Sequence, residues 1–164
     1  MSVDRPTTVA EAAEQLRAAT SVAELLSTTA RAFVEVLDAP ACTISRVIGD
    51  LLVDLVQHRR EGRADRLGHG YLISDYPLTR TVIELREPRT VFASDPDADP
   101  AETSLLEELG FDSLLMLAIT TEDTAWGFVE VYANGRRFES PDVDRAQALV
   151  VEVEDVLVRL ARPQ

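Results

Sequence analysis

The chain has 164 residues, enough for one sizeable hydrophobic core and too few for two ordinary ones. Its hydrophobic share of 46% and charged share of 27% are globular values, and no apolar run approaches the roughly 20 residues of a membrane-spanning helix. A formal charge of -13 argues against binding phosphate backbones or anionic lipid by bulk electrostatics. A start without a basic stretch leading into an apolar core, and a single cysteine, Cys42, point to a reducing, cytoplasmic setting.

In chain order, Thr8-Val-Ala-Glu11 and Ser21-Val-Ala-Glu24 each place a hydroxyl three residues before a glutamate, the pattern of a reciprocal helix cap. Two helices are predicted behind them. The first carries Val9, Ala12, Ala13, Leu16 and Ala19. The second carries Leu25, Leu26, Ala30, Phe33, Val34 and Leu37, a stripe of period 3.6, and Asp38-Ala39-Pro40 ends it. Residues 42–57 read as two β-branched runs around Gly49-Asp50, hence an antiparallel hairpin. HRREGRADRLGH, residues 58–69, gathers Arg59, Arg60, Arg63 and Arg66; it reads as a solvated loop, with an acidic partner as the alternative.

A short extended piece, residues 69–74, precedes a helix opened by Pro77 and stopped by Pro88, with Leu78, Val82 and Leu85 on one face. Residues 89–94 are short and extended. Asp99 caps, Pro100 sits at the first helical position and Glu102 at the third, so a further helix runs to Gly110. Residues 113–119, SLLMLAI, are apolar on both faces, as in a central strand. Residues 120–125 turn, and 126–134 return as a hairpin partner. Alternation puts Trp126, Phe128, Glu130 and Tyr132 on one face and Gly127, Val129, Val131 and Ala133 on the other. Ser140 is expected to cap a last helix with Pro141 at its first position, spanning about 30 Å.

These elements specify an α+β fold with a mostly antiparallel sheet. The whole chain, 1–164, is expected to be one domain, with a helical segment at 1–38 and a C-terminal helix at 141–161. The small residues on the Gly127 face allow close approach of helices, so both terminal helices are expected there. The aromatic face is left to the middle of the chain, residues 58–112.

The stretches SVAELLSTTARAFVEVLDAPACTISRV, SDYPLTRTVIELREPRTV, LGFDSLLMLAI and AWGFVEVYANGRRFESPDVDRAQAL together resemble the GAF domain, a sensory fold of bacterial signalling proteins and cyclic-nucleotide phosphodiesterases. The resemblance covers nearly the whole chain. It implies pairing of the terminal helices with those of a second subunit, and a pocket on the opposite sheet face beneath the middle helices and loops. Tyr71, Ile73, Tyr76, Thr79, Phe92, Leu115 and Met116 are then implied as its lining, together with the face bearing Trp126, Phe128 and Tyr132.

The family's subtypes differ in residues that can be compared here. Cyclic-nucleotide-binding members share a dispersed N-K-F-D-E motif; Asn134, Phe138 and Asp142 match it, whereas Gly135 and Val143 depart from it. Methionine-sulfoxide-reducing members need paired cysteines, and Cys42 is alone. Bilin-carrying members attach pigment through a pocket cysteine, whereas Cys42 starts a strand and reads as a small buried hydrophobe. Haem would need an axial histidine, for which His58 and His69 stand in loop sequence. No G-x-S-x-G elbow or nucleophile with a base is present, so no catalytic residue is assigned. Asp95, Asp97 and Asp99 alternate as in an EF-hand, but Pro100 and Leu106 occupy positions that need glycine and glutamate, so no metal is assigned and Asp99 reads as a helix cap.

Glu130 stands out because a carboxylate within an interior strand is desolvated unless paired. Pairing with Arg46 on the neighbouring strand, contact with a ligand, and a place at an open rim remain as readings, the first preferred. The functional expectation is a non-catalytic sensory domain, without a cofactor, that binds an unidentified small molecule and signals through a homodimer and a separate partner protein. The alternative is an interaction and dimerisation module whose pocket is filled by its own side chains.

Overall fold

Both hydroxyl caps form as the sequence directs. Thr8 Oγ1 accepts the Glu11 N–H at 3.1 Å, starting α1 (Val9–Arg17), and Ser21 Oγ accepts the Glu24 N–H at 3.1 Å, starting α2 (Val22–Leu37). The chain reverses at Asp38, which takes a left-handed conformation with φ 52°. It then enters the hairpin β1 (Ala41–Ile48) and β2 (Leu51–Arg59). The computed structural model describes residues 7–62 and 67–162, so Arg63 and Arg66 of the arginine-rich stretch lie outside the described residues.

The middle of the chain supplies β3 (Gly70–Leu72), a single 3-10 turn (Ile73–Asp75), α3 (Pro77–Leu85), β4 (Arg89–Phe92) and α4 (Pro100–Leu109). The extended piece expected at 69–74 is therefore only half strand. The second hairpin, β5 (Ser113–Thr121) and β6 (Thr124–Ala133), has a tighter turn than 120–125. Glu122 and Asp123 alone make it, with φ of 48° and 64°. That mirror-type turn matches strand twist but is unusual without glycine; the Arg86 guanidinium donates to the Asp123 carbonyl at 2.6 Å and holds it.

The last helix, α5 (Ser140–Ala161), begins one residue earlier than its proline suggests. Glu139 rather than Ser140 is the capping residue, and the Asp142 carboxylate reaches back to accept its N–H at 2.9 Å.

All strand pairings are antiparallel, in the order β3-β2-β1-β6-β5-β4. Helices α1, α2 and α5 pack on one face with Leu115, Leu117, Ile119, Val129, Val131 and Ala133. This is the small-residue face of β6, as expected. A second cluster lies across the sheet: Leu52, Ile73, Val82, Val91, Leu106, Leu114, Met116, Phe128 and Tyr132, under α3 and α4. Fully buried rings and aliphatic chains of this kind contribute about 1.5–3 kcal/mol each relative to exposure, and two clusters fix the sheet between two layers.

Two bulges decide which side chains reach the second face. In the β1–β2 ladder Ile44 opposes Val56 and Ser45 opposes Asp54, so Leu55 is the extra residue. It projects outward, 42% exposed, and Asp54 turns inward. In the β5–β6 ladder Ile119 opposes Gly127 and Thr120 opposes Ala125, so Trp126 is the extra residue. Strict alternation places Trp126 with Phe128; the bulge sends it to the helix side instead, against the α1, α2 and α5 cluster.

Candidate functional site

The space between the sheet and its cover of α3 and α4 is the enclosed part of the second face. It is lined by Leu52, Tyr71, Ile73, Tyr76, Thr79, Glu102, Leu105 and Glu130. A contiguous recess sharing Tyr71, Leu105 and Glu130 adds Thr43, Asp54, Gln57, Leu109 and Tyr132. The space open to the centre of a water molecule is about 10 Å³ in the first and about 20 Å³ in the second, room for one water or so in each. Wider clefts run along the outside, one of about 500 Å³ between α5 and the β5–β6 turn. They are open to solvent, and exposed residues such as Glu122, Asp123 and Val151 stand among their lining. The space under α3 and α4 gathers several buried polar groups, Thr43, Asp54, Thr79, Glu102 and Glu130.

Each group arrives by a different local rule. Glu130 opposes Thr43 of β1 and Met116 of β5, in the middle of the sheet, and is 7% exposed. Asp54 comes in through the β2 bulge and accepts the Ser45 hydroxyl at 2.7 Å. Glu102 is the third residue of α4, whose cap Asp99 accepts the Ala101 and Glu102 N–H groups at 3.0 and 3.4 Å. From there its side chain turns inward and is 1% exposed. Thr79 of α3 donates its hydroxyl to Glu102 Oε1 at 2.5 Å and lies 3.8 Å from Met116 Sδ. Glu102 Oε2 is buried with no hydrogen-bond partner. Tyr71 and Tyr76 meet edge to face, ring centres 6.1 Å apart.

The electrostatics follow from this crowding of acids in low dielectric. Burial pushes Glu130 well above the usual carboxylate range, the charges of Glu102 and Asp54 push it further, and the hydrogen bond from Tyr132 opposes them. Burial likewise raises Glu102, against the stabilising hydroxyl of Thr79. Tyr132 and Tyr76 are raised by burial and by the neighbouring acids. Among the described residues, no arginine or histidine lines either recess. Arg59, on this side of β2, stacks over Phe111 at 5.6 Å, and Phe111 stacks on Tyr132 with ring centres 5.0 Å apart.

The structure brings Tyr71, Ile73, Tyr76 and Thr79 together around Glu130, with Tyr132 in the adjoining recess and Met116 against Thr79. Phe128 is on the same face but fully buried in the cluster beside it. Three expected residues fall elsewhere. Leu115 alternates with Met116 and faces the terminal helices. Phe92 opposes Ser113, and Val91 is the β4 residue that enters the second cluster; the Phe92 ring lies under the Arg137 guanidinium at 4.6 Å. Trp126 is displaced by its bulge.

The expected Glu130–Arg46 pair does not form. Arg46 opposes Gly127, on the other face from Thr43 and Glu130. Its guanidinium lies 4.6 Å from the centre of the Trp126 ring and donates to the Trp126 and Val47 carbonyls. Adjacency of strands supplied a partner in sequence; parity along the regular β1–β6 register took it away.

Other singled-out residues have local structural roles. Asn134 accepts the Asp112 N–H at 3.1 Å and donates to the Gly110 carbonyl at 3.2 Å, closing the loop before β5. Phe138 packs in the helix-side core, and Asp142 pairs with Arg136 and Arg145. The three matches to the cyclic-nucleotide motif thus serve the fold. Asp95 pairs with Arg137 and Asp99 caps α4, so two of the three alternating acids are committed elsewhere. His69 is exposed, its carbonyl accepting the Asp54 N–H at 3.0 Å, and Arg60 pairs with Asp38 at 2.6 Å. Cys42 is buried on the helix side, opposite the cavity.

Sequence reasoning missed Glu102 and Asp54. Glu102 carried the signature of a helix-start acid, which masks an inward role. Asp54 carried the same signal as Glu130, an acid within a strand, but its face depends on a bulge.

A family profile described as GAF domain matches residues 21–157. No curated protein sequence matches the chain. Among solved structures, the chromophore-binding domain of a Stigmatella aurantiaca bacteriophytochrome matches with TM-score 0.79 at 15% identity, over 94% of this chain. This chain spans 59% of that one. A protein in its far-red-absorbing dark state with bound biliverdin IXa matches with TM-score 0.82 at 12% identity, over 95% of this chain and 100% of the other. The phycocyanobilin-bound GAF domain of a cyanobacterial phytochrome matches with TM-score 0.79 at 15% identity, over 98% of this chain and 97% of the other. The likeness to these structures is one of fold.

Proposed function

This chain belongs to the GAF domain family, and on that premise we propose that it is a non-catalytic sensory module that takes a small molecule beneath α3 and α4. The observation that carries the reading is the convergence of buried Glu102 and Glu130 with Tyr71, Tyr76 and Thr79 on one enclosed space. Groups so desolvated and so close in charge are costly to keep, and sites of this kind are where binding function concentrates. The space is small at rest, so binding requires α3 and α4 to lift, and their movement is the signal. Phytochrome relatives carry bilins; Cys42 lies across the sheet from this space, which argues against covalent bilin attachment here.

The signal is passed through α1, α2 and α5 to a second copy and from there to a separate protein. Among the described residues these helices spend most of their apolar stripes on the sheet and on each other, leaving Val22 at 39% and Val151 at 55% exposure for a partner. Cytoplasmic placement belongs to the same proposal; no helix among the described residues is long and apolar enough to cross a membrane.

A second reading, an interaction module with a self-filled pocket, is favoured by the water-sized space. Thermal-shift screening and native mass spectrometry of freshly purified protein separate the two. A stabilising or co-purified small molecule is expected; neither, with α3 and α4 fully protected from hydrogen exchange, gives the interaction module. Light scattering at tens of micromolar tests the dimer, on the order of concentration at which weak pairs form; a monomer throughout removes it.

A further inference from the structure

We propose that the cavity takes a protonated primary amine, its ammonium seated between the carboxylates of Glu102 and Glu130 and against the rings of Tyr71 and Tyr76. The inference rests on the small-molecule reading above and names the ligand's chemistry. Three observations carry it.

The first is an acceptor without a donor. Glu102 is 1% exposed, Thr79 satisfies Oε1, and Oε2 has no partner although its residue lines the cavity. A buried, unsatisfied carboxylate oxygen is a standing cost, removed by any donor that enters. The second is sign. Two carboxylates line the cavity and Asp54 stands in the adjoining recess, with no arginine or histidine among the described residues of either lining. The chain contains no lysine at all. An anionic ligand adds a further like charge beside Glu102 and Glu130, and a neutral one offsets neither. An ammonium has three donors and no acceptor, which complements this set. The third is shape. The Tyr71–Tyr76 edge-to-face pair forms an aromatic wall on the same space, the surface against which cations are held by ring quadrupoles. An ammonium group also has about the size of the one water that the closed cavity admits.

Entry of a cation favours the ionised acids, so binding releases protons into solution. The groups facing the pair are Asp54 from β2, Tyr132 from β6, Tyr71 from β3, Tyr76 ahead of α3 and Asp99 at the head of α4.

The test uses the full chain with methylammonium and putrescine chlorides, and methanol and 1,4-butanediol as uncharged counterparts. At least one amine is expected to raise the melting temperature in a saturable way. Calorimetry in two buffers of different ionisation enthalpy is expected to show proton release. The affinity is expected to fall at least about tenfold in Glu102→Gln, a variant of the same shape whose folding is checked by circular dichroism. The inference is overturned if neither amine shifts the melt, if the uncharged counterparts do so equally, or if Glu102→Gln and Glu130→Gln both bind like the parent. A library of acids and neutral compounds run alongside separates the two levels. If one of these binds and Leu105→Trp abolishes it, the cavity reading stands and the amine falls. If nothing of any class binds, both fall.

Discussion

Thr79 Oγ1 donates to Glu102 Oε1 across 2.5 Å, and this bond joins the two helices that cover the cavity. It is a buried tie between α3 and α4, so opening the cover must break it or carry both helices together. Thr79→Val keeps the shape and removes the donor. Leaving Glu102 without either partner is expected to cost about 1–3 kcal/mol in urea melts. Thr79→Val combined with Glu102→Leu is expected to regain most of that loss, because both halves of the bond are then apolar. A double variant as weak as the single one places the effect in packing.

Arg46 and Glu130 sit on neighbouring strands but on opposite faces, Arg46 opposite Gly127 and Glu130 opposite Thr43. Arg46→Met should cost about 1–3 kcal/mol through the lost bonds to the Trp126 and Val47 carbonyls. A double-mutant cycle with Glu130→Gln should find the two effects additive to within about 0.5 kcal/mol. A coupling of several times that size would restore the ion pair that adjacency of the two strands suggests.

Gly127 closes the β6 bulge. A side-chain carbon placed there lies 2.7 Å from the Ser45 carbonyl oxygen, which is backbone and cannot swing aside. Gly127→Ala is therefore expected to cost about 1–3 kcal/mol or more. It should also disturb the stacking of Arg46 on Trp126, visible as a change in tryptophan fluorescence. Unchanged stability and emission would mean that the bulge has slack.

The parts of this architecture legible in sequence were those set by local chemistry. Caps at Thr8, Ser21 and Asp99, the Pro77 and Pro100 starts, the turn at Gly49-Asp50 and the size asymmetry across β6 each followed from one residue's physics, and together with the family resemblance they led to the fold. The parts that were not legible depended on counting across a ladder. One extra residue at Leu55 turned Asp54 inward, and one at Trp126 moved that ring to the helix side. The family resemblance implies both Leu115 and Met116 as lining although neighbours in a strand face opposite ways, and an apolar run such as SLLMLAI has no polar face to choose between them. Glu102 was hidden by a second, sufficient reason to be where it is. A helix start welcomes an acid whether or not that acid points into a cavity.

Glu130 gives the sharpest dependence on pH. Its carboxyl is raised well above the reference value of 4.5, first by burial, then by Glu102 and Asp54, against the Tyr132 hydrogen bond. Below 4.5 the folded and unfolded chains both hold the proton, and the buried acid contributes its full stability. As the pH rises, the unfolded chain releases its proton first. The folded chain must then keep a proton that solvent no longer favours, or ionise in place beside two other acids. Either way stability falls until the pH passes the folded value, by about 1.4 kcal/mol for each unit separating the two. Glutamine has the same shape and nothing to ionise. The stability of Glu130→Gln minus that of the parent is therefore expected to be near zero at about pH 4 and to grow in favour of the variant towards about pH 8. Glu102→Gln should show the same sign, its folded value being raised by burial as well. Taking the difference between variant and parent removes the contribution of surface pairs such as Asp95–Arg137, whose carboxylate is lowered and acts in the opposite sense. Urea melts at intervals across that range decide it. A difference independent of pH would mean that Glu130 is solvated in the folded chain, and the buried acid pair would no longer stand as the basis for ligand recognition.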